Sequence, residues 1–341
     1  MKRCLDLAAL GLGKTYPNPM VGSVIVNRGE IIGEGWHHKS GEAHAEVNAI
    51  NSVVDKSLLK EATIYINLEP CAHFGKTPPC ASLIIKHQIP NVVIGCIDSF
   101  SEVSGKGVTM LEEAGVKVKV GVLEKECLES HKRFFTFHQK KRPYIILKWA
   151  QTKEGFIAPL VQEKGNPFWI SSPESKKLVH KWRTEEASIL VGTNTAEKDN
   201  PSLTARLWEG NQPLRLVLDK DLKLAKDLAI FNTVCKTLVF TEKQSFKSNS
   251  TEYINVDFNN LVISLLNNLY NRDIQSLIIE GGQKTLQCFI DLNLWDEARV
   301  FEGNKTLQKG INAPILNYKV STEEKVATDI LRIYRKEEST K

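Results

Sequence analysis

Residues 70–80 read Pro-Cys-Ala-His-Phe-Gly-Lys-Thr-Pro-Pro-Cys, and upstream of them stands His44-Ala45-Glu46. Together the two stretches supply one imidazole, two thiols and one carboxylate. His44, Cys71 and Cys80 satisfy a tetrahedral Zn²⁺ in all but one position, which is how hydrolytic zinc sites keep room for water. Glu46 follows His44 by two residues, and on a helix such positions do not share a face, so the carboxylate is expected to shuttle protons rather than bind the metal. Two thiolates blunt the Lewis acidity of the ion, which makes a neighbouring base valuable. His-x-Glu followed by Pro-Cys and a second Cys is the signature of zinc-dependent base deaminases, which exchange an amino group on a ring carbon for a carbonyl. Nucleoside and nucleic-acid versions usually place two residues between the cysteines, whereas eight intervene here. A structural zinc knot completed by His73 or His38 is the plainer alternative, and it has no use for Glu46.

Around this pair of motifs the chain alternates strand-like and helix-like segments, the rhythm of a three-layer α/β domain. Leu5, Ala8, Ala9 and Leu12 mark an opening helix. VGSVIV (21–26) and EIIGEGW (30–36) read as a hairpin, a helix starts near His44, and ATIYINL (62–68) is a strand that ends at the cysteine loop. A helix from about Cys80 to His87, strand NVVIGCI (91–97), a helix through Met110 to Ala114 and strand VKVKV (116–120) follow. The metal ligands are thus expected at helix starts, where free N–H groups and the positive end of the helix dipole favour thiolate.

The basic run at 138–143, closed by Pro143, marks a domain boundary. Beyond it YIILKWA (144–150), ASILVG (187–192), LRLVLD (214–219), KTLVF (236–240), SLIIE (276–280) and EARVF (297–301) are strands of a second α/β domain. Helices are expected over 174–186, 259–271 and 284–293, and the polar stretch 242–252 is expected to be a loop. SLIIE runs into Gly281-Gly282 and then an apolar segment, so backbone N–H groups approach a phosphate there, or the pair is only a tight turn. Glu280 lies at the carboxyl end of its strand, where open α/β sheets bind ligands. Arg206, after the turn Asp199-Asn200-Pro201, and Arg183 are phosphate candidates, each with a salt-bridged helix face as the bland reading.

At 341 residues the chain suits two domains, and 42% hydrophobic with 25% charged residues is a globular composition. No apolar run approaches the ~20 residues that span a bilayer. Seven cysteines, an odd number, make no disulfide framework and fit a reducing, cytoplasmic setting. A net charge of +5, 45 basic against 40 acidic residues, favours phosphorylated substrates but is far from a nucleic-acid-binding excess.

Taken in order, YPNPMVGSVIV (16–26), GEGWHHKSGEAHAE (33–46), LEPCAHFGKTPPC (68–80), GKG (105–107), LKWA (147–150), WISS (169–172), SILVG (188–192), KDNPSLTAR (198–206), LRLVLD and IIEGG (278–282) resemble the bifunctional deaminase/reductase family of riboflavin biosynthesis along nearly the whole chain. The resemblance implies a cytidine-deaminase-like zinc-dependent domain over 1–141 and a dihydrofolate-reductase-like, NADPH-dependent domain over 142–341. It implies deamination of 2,5-diamino-6-ribosylamino-4(3H)-pyrimidinone 5′-phosphate, then reduction of the ribosyl group to ribityl. His44, Cys71 and Cys80 carry over as zinc ligands and Glu46 as the proton shuttle. Asn18, His37 and Lys76 carry over as substrate contacts of the deaminase, and Arg183, Leu203, Arg206 and Glu280 as those of the reductase. Ala158, Trp169, Thr195, Asp199, Gly281 and Gly282 match cofactor positions. A homodimer is expected, with neither nucleic acid nor membrane as partner.

Two departures from the family pattern stand out. Asp98-Ser99-Phe100-Ser101 replaces Asp-Pro-Asn-Pro, and Glu154-Gly155-Phe156 replaces Asp-Gly-Lys. The second leaves open a protein that retains only the first step, its reductase lapsed. Two rivals are a nucleoside or tRNA deaminase with an accessory domain, and a zinc-stabilised scaffold without catalysis. The long cysteine loop and the lack of a basic, aromatic-rich surface oppose the first. An essential Glu46 would exclude the second.

Overall fold

The computed structural model describes residues 1–72, 78–98, 104–165 and 167–336. The chain separates into two compact units, Met1–Lys141 and Arg142–Lys341.

In the first unit the elements are α1 (Lys2–Ala9), β1 (Gly22–Asn27), β2 (Glu30–Trp36), α2 (Ala45–Ser52), β3 (Thr63–Leu68), α3 (Cys80–Lys86), β4 (Asn91–Cys96), α4 (Lys106–Glu113), β5 (Lys117–Val120), α5 (Glu124–Ser130) and α6 (Lys132–Lys140). The strands form one sheet in the order β2-β1-β3-β4-β5. β1 pairs antiparallel with β2 and β3, while β3, β4 and β5 run parallel. Alternation along the strands sends side chains to two faces. Ile25, Ile64, Ile66, Val92 and Ile94 pack against Ala49 and Ile50 of α2, Ala81 and Ile84 of α3 and Leu111 of α4. On the other face Val24 meets Cys4 and Leu7 of α1, and at the carboxyl ends of β3 and β4 Leu68 and Cys96 meet Cys127 of α5 and Phe134 and Phe135 of α6. This gives the three layers. The first helix stops before Leu12, which lies in a run of turns.

In the second unit follow β6 (Tyr144–Gln151), β7 (Phe156–Pro159), α7 (Pro173–Glu185), β8 (Ser188–Val191), α8 (Thr193–Asp199), β9 (Leu214–Leu218), β10 (Thr237–Thr241), β11 (Phe246–Ser248), β12 (Thr251–Asn255), α9 (Leu261–Tyr270), β13 (Ser276–Glu280), α10 (Gln283–Asp291), β14 (Glu297–Glu302), β15 (Gly310–Asn312), β16 (Thr322–Val326) and β17 (Asp329–Arg335). Ten strands make one sheet, β11-β12-β10-β9-β8-β13-β6-β14-β17-β16. The run from β12 to β14 is parallel and carries antiparallel strands at both edges. Central strands such as β6, β8 and β13 are continuous Val/Ile/Leu runs because both faces are covered. Val262, Leu265, Leu286 and Phe289 of α9 and α10 cover one face, and Val179, Trp182 and Ala196 of α7 and α8 the other.

The expected loop at 242–252 is instead largely a hairpin. Asn249 takes the left-handed conformation in the turn (φ 51°), and Phe246 stacks on Tyr253 at 4.0 Å. Its polar composition hid the pairing, which carries the one aromatic contact and a cross-strand Lys247–Glu252 ion pair at 3.6 Å beside the backbone bonds.

Candidate active sites

The first site forms at the carboxyl ends of β3 and β4. His44 is the N-cap of α2 and Cys80 the first residue of α3. Cys71 lies in the loop after β3 rather than at a helix start, but its sulfur accepts the Cys80 N–H at 3.3 Å, so it still uses the free N–H groups of α3. His44 Nδ1 lies 3.3 Å from Cys80 Sγ and 3.7 Å from Cys71 Sγ. Zn–S and Zn–N bonds of about 2.3 and 2.0 Å around a tetrahedron set donor separations of roughly 3.5–3.8 Å, so this trio fits Zn²⁺. The Cys71 thiol is drawn down to about 4 by the hydrogen bond from Cys80 and then by His44, against the effect of burial. Among the described residues no other His, Cys, Asp or Glu joins the three donors. His38, the described candidate for a closed structural site, lies exposed against the Trp36 ring at 4.2 Å; His73 falls outside the described residues.

Glu46 is buried one step into α2. Burial raises its carboxyl to about 7, helped by the charge of Cys71, while His44 pulls the other way. A carboxyl that gains and loses its proton near neutrality is suited to acid and base work in one cycle. Beside the trio, His37 Nδ1 donates to the Ala43 carbonyl at 3.1 Å, which leaves Nε2 to accept from Asn18 Nδ2 at 3.1 Å. Burial lowers the His37 pKa, keeping the ring neutral. The His37 and His44 rings meet edge to face at 5.6 Å. Lys76 and Phe100 lie outside the described residues.

The second site is a cleft of about 1060 Å³ at the carboxyl ends of β6, β8 and β13. It gathers Arg183, Leu203, Arg206, Glu280, Ala158, Trp169, Thr195, Asp199, Gly281 and Gly282 into one lining. Gly281 and Gly282 have φ of 111° and 60°, and a Cβ on Gly281 would sit 2.8 Å from Thr195 Cγ2. The turn thus needs glycine and leaves bare backbone at the start of α10, a cradle of the kind a dinucleotide phosphate occupies. Asp199 Oδ1 accepts from Gln162 Nε2 at 2.7 Å, and the Lys176 ammonium sits 3.7 Å over the Trp169 ring.

Glu280 is chelated by Arg183, Nε to Oε1 at 3.1 Å and Nη2 to Oε2 at 2.9 Å, with Lys148 Nζ 3.7 Å from Oε2. Burial alone raises this carboxyl, but Arg183 and then Lys148 outweigh it and hold it at about 2. Sequence reading passed over Lys148 and His180. Lys148 is a lone charge inside the apolar strand YIILKWA, and that was its signal. His180 shares a face of α7 with Lys176 and Arg183, and burial followed by the charge of Arg183 lowers its pKa to about 4. Phe156 is absent from the cleft lining and lies against Gly310 across the β7–β15 pair, so the aromatic at that position does not obstruct the site.

Residues 1–96 match the family model of the cytidine and deoxycytidylate deaminase zinc-binding region, and residues 143–311 that of the RibD C-terminal domain. The riboflavin biosynthesis protein RibD of Aquifex aeolicus is 41% identical over 92% of this chain and 88% of its own length. The chain belongs to the RibD family. Two solved structures agree over both units. A Thermotoga maritima diaminohydroxyphosphoribosylaminopyrimidine deaminase/5-amino-6-(5-phosphoribosylamino)uracil reductase is 38% identical with a TM-score of 0.90, covering 98% of this chain and 97% of its own. Acinetobacter baumannii RibD is 29% identical with a TM-score of 0.88, covering 98% of each chain. As a RibD-family protein the chain is a bifunctional enzyme of riboflavin biosynthesis, a zinc-dependent deaminase joined to an NADPH-dependent reductase. With both domains present, the lapsed-reductase alternative and the scaffold reading are set aside.

Proposed function

We propose that the first unit deaminates 2,5-diamino-6-ribosylamino-4(3H)-pyrimidinone 5′-phosphate and that the second reduces the ribosyl group of the product to ribityl. The observation that carries the reading is the three-donor trio with a buried carboxyl of near-neutral pKa at its side, on the same chain as a cation-rich cleft with a glycine cradle.

In the deaminase, His44, Cys71 and Cys80 would hold Zn²⁺, which would supply the Lewis acidity that makes water a nucleophile near neutral pH. Glu46 takes a proton from the attacking water and delivers it to the amino group, which leaves as ammonia. Its burial keeps bulk water from taking over the exchange. Asn18 and the neutral His37, locked together, orient the pyrimidine beside His44, and Lys76 meets the phosphate.

In the reductase, bound NADPH would supply the hydride that reduces C1′ of the sugar. Ala158, Trp169, Thr195, Asp199 and the Gly281-Gly282 turn hold the dinucleotide. Opening of the C1′–O bond requires a proton at the ring oxygen. Lys148 is the group to deliver it, since burial lowers its pKa and Glu280 keeps the ammonium at the floor of the cleft. Arg183, Arg206 and Leu203 position the ribose phosphate; the single charge of Glu280 leaves the group Lys148, Arg183 and Arg206 net positive.

The enzyme works as a homodimer in the cytoplasm. All seven cysteines are free, as suits a reducing compartment. Among the described residues no helix is long and apolar enough to cross a membrane. The test is to incubate zinc-loaded protein with the diaminopyrimidinone ribotide and identify products by mass spectrometry, without and with NADPH. The account expects the aminouracil ribotide in the first case and its ribityl derivative in the second. Unchanged ribotide in both would overturn it. Analytical ultracentrifugation tests the dimer, and a monomer at micromolar concentration would refute that part.

A further inference from the structure

Glu69 lies between the end of β3 and the metal ligand Cys71, and its side chain is buried. It accepts four backbone N–H bonds. Oε2 takes those of Asp98 at 3.2 Å and Gly105 at 3.0 Å, and Oε1 takes those of Gly107 at 2.8 Å and Val108 at 3.3 Å. Its own N–H donates to the Cys96 carbonyl at 3.0 Å. The carboxylate therefore sits on the amino end of α4, where unsatisfied N–H groups and the helix dipole favour an anion. Glu69 thus takes up the N–H groups of Gly105 and Gly107 in the Gly105-Lys106-Gly107 motif from inside the protein.

We infer that Glu69 is a positioning residue of the deaminase: it ties Asp98 and the start of α4 to the strand end that carries Cys71, and so sets the affinity for the pyrimidine ribotide. The inference rests on the deaminase reading above. Asp98 follows the carboxyl end of β4, and Cys71 follows that of β3, its parallel neighbour. Ligands of open parallel sheets bind outside these strand ends. Glu69 links the two ends, and the joint is tight, because a Cβ on Gly107 would meet the Pro70 carbonyl oxygen at 2.1 Å and Glu69 Oε1 at 3.1 Å. The metal trio has bonds of its own, Ala81 N to the Cys71 carbonyl at 3.2 Å and Cys80 N to Cys71 Sγ at 3.3 Å, and none of them passes through Glu69. Loosening the joint should then leave the chemistry in place and displace a wall of the substrate site. Interactions made equally in ground and transition states appear in KM rather than kcat.

The test is Glu69→Gln in the full chain. The amide turns a donor toward N–H groups that need acceptors, so Asp98 and the start of α4 shift. A displacement of about 1 Å costs up to ~10²-fold in kcat/KM. We expect KM for the ribotide to rise about tenfold or more with kcat within about threefold of wild type. Zinc content and the reductase rate on the deaminated intermediate should be unchanged. Glu69→Asp, which keeps the charge, should recover part of the loss, and Gly107→Ala, which pushes α4 off the same carboxylate, should reproduce it. Unaltered KM in Glu69→Gln with zinc retained would overturn the inference. So would loss of zinc or of the folded first unit in both Glu69→Gln and Gly107→Ala, since Glu69 would then serve stability alone. If the wild type releases no ammonia, it is the deaminase reading that fails.

Discussion

Replacing Arg183 by Met removes the guanidinium that chelates Glu280 and keeps much of the side chain's volume. The pair is nearly dry, with both side chains 11% exposed, and Lys148 remains 3.7 Å away. Held at about 2 against an ordinary 4.5, the Glu280 carboxylate contributes about 3 kcal/mol to stability at neutral pH. Arg183 is the largest of its favourable partners, ahead of Lys148 and His180. Breaking a buried ion pair typically costs about 3–5 kcal/mol, and the surviving Lys148 places this case near the lower end, at about 3 kcal/mol. Because the folded-state value is depressed, this stability is present above pH 4.5 and is lost as pH falls through about 2. The gap between wild type and variant should therefore narrow across that window. Of the six tryptophans all but Trp36 lie in the second unit, so urea unfolding followed by tryptophan fluorescence reads that unit. In the same variant KM for the reductase substrate should rise more than KM for NADPH. A stability loss under about 1 kcal/mol at pH 7, or a gap that stays constant down to acid pH, would refute the reasoning.

Other consequences are equally direct. Glu46→Gln should retain zinc and lower deaminase turnover by about a hundred- to ten-thousandfold, with the reductase intact on the deaminated intermediate; equal loss of both activities would show that the sites are not separate. Cys71→Ser or Cys80→Ser, or treatment with a chelator, should deplete zinc measured by atomic emission and abolish ammonia release while NADPH oxidation on the intermediate continues. Gly281→Ala forces a methyl to 2.8 Å from Thr195 Cγ2 at a φ of 111°, and should raise KM for NADPH at least tenfold without touching the deaminase. Undiminished NADPH affinity there would remove the glycine turn from the cofactor site.

The zinc trio was legible because metal chemistry fixes residue type and spacing together, and the central strands rich in Val, Ile and Leu were legible because burial on one or both faces writes itself into the sequence. What escaped has physical causes. The edge strand β16 (TEEKV) is exposed and charged, and β17 (DILRIYR) breaks its apolar residues with Asp329, Arg332 and Arg335, so neither shows a clean alternation or a continuous apolar run. The β11–β12 hairpin is held by a stacked pair, a Lys247–Glu252 ion pair and a turn with a left-handed asparagine, none of which leaves an apolar pattern. Lys148 looked like a stray charge, since only the fold brings it to Glu280, which lies far along the chain on a neighbouring strand. Glu69 stands inside the LEPC motif, but its four N–H partners come from a segment that only the parallel pairing of β3 and β4 places within reach.

The central claim, two successive reactions on one chain, is tested most directly by ordering them. Zinc-loaded protein is given the diaminopyrimidinone ribotide and ammonia is followed to completion; NADPH is then added and its oxidation followed. The account predicts that ammonia release needs no NADPH and that oxidation then consumes NADPH in proportion to the ammonia released, with both signals from Glu46→Gln on the same ribotide slowed by about a hundred- to ten-thousandfold. NADPH oxidation by Glu46→Gln on the ribotide that outpaces its ammonia release, or ammonia from the wild type with no oxidation afterwards, would contradict it.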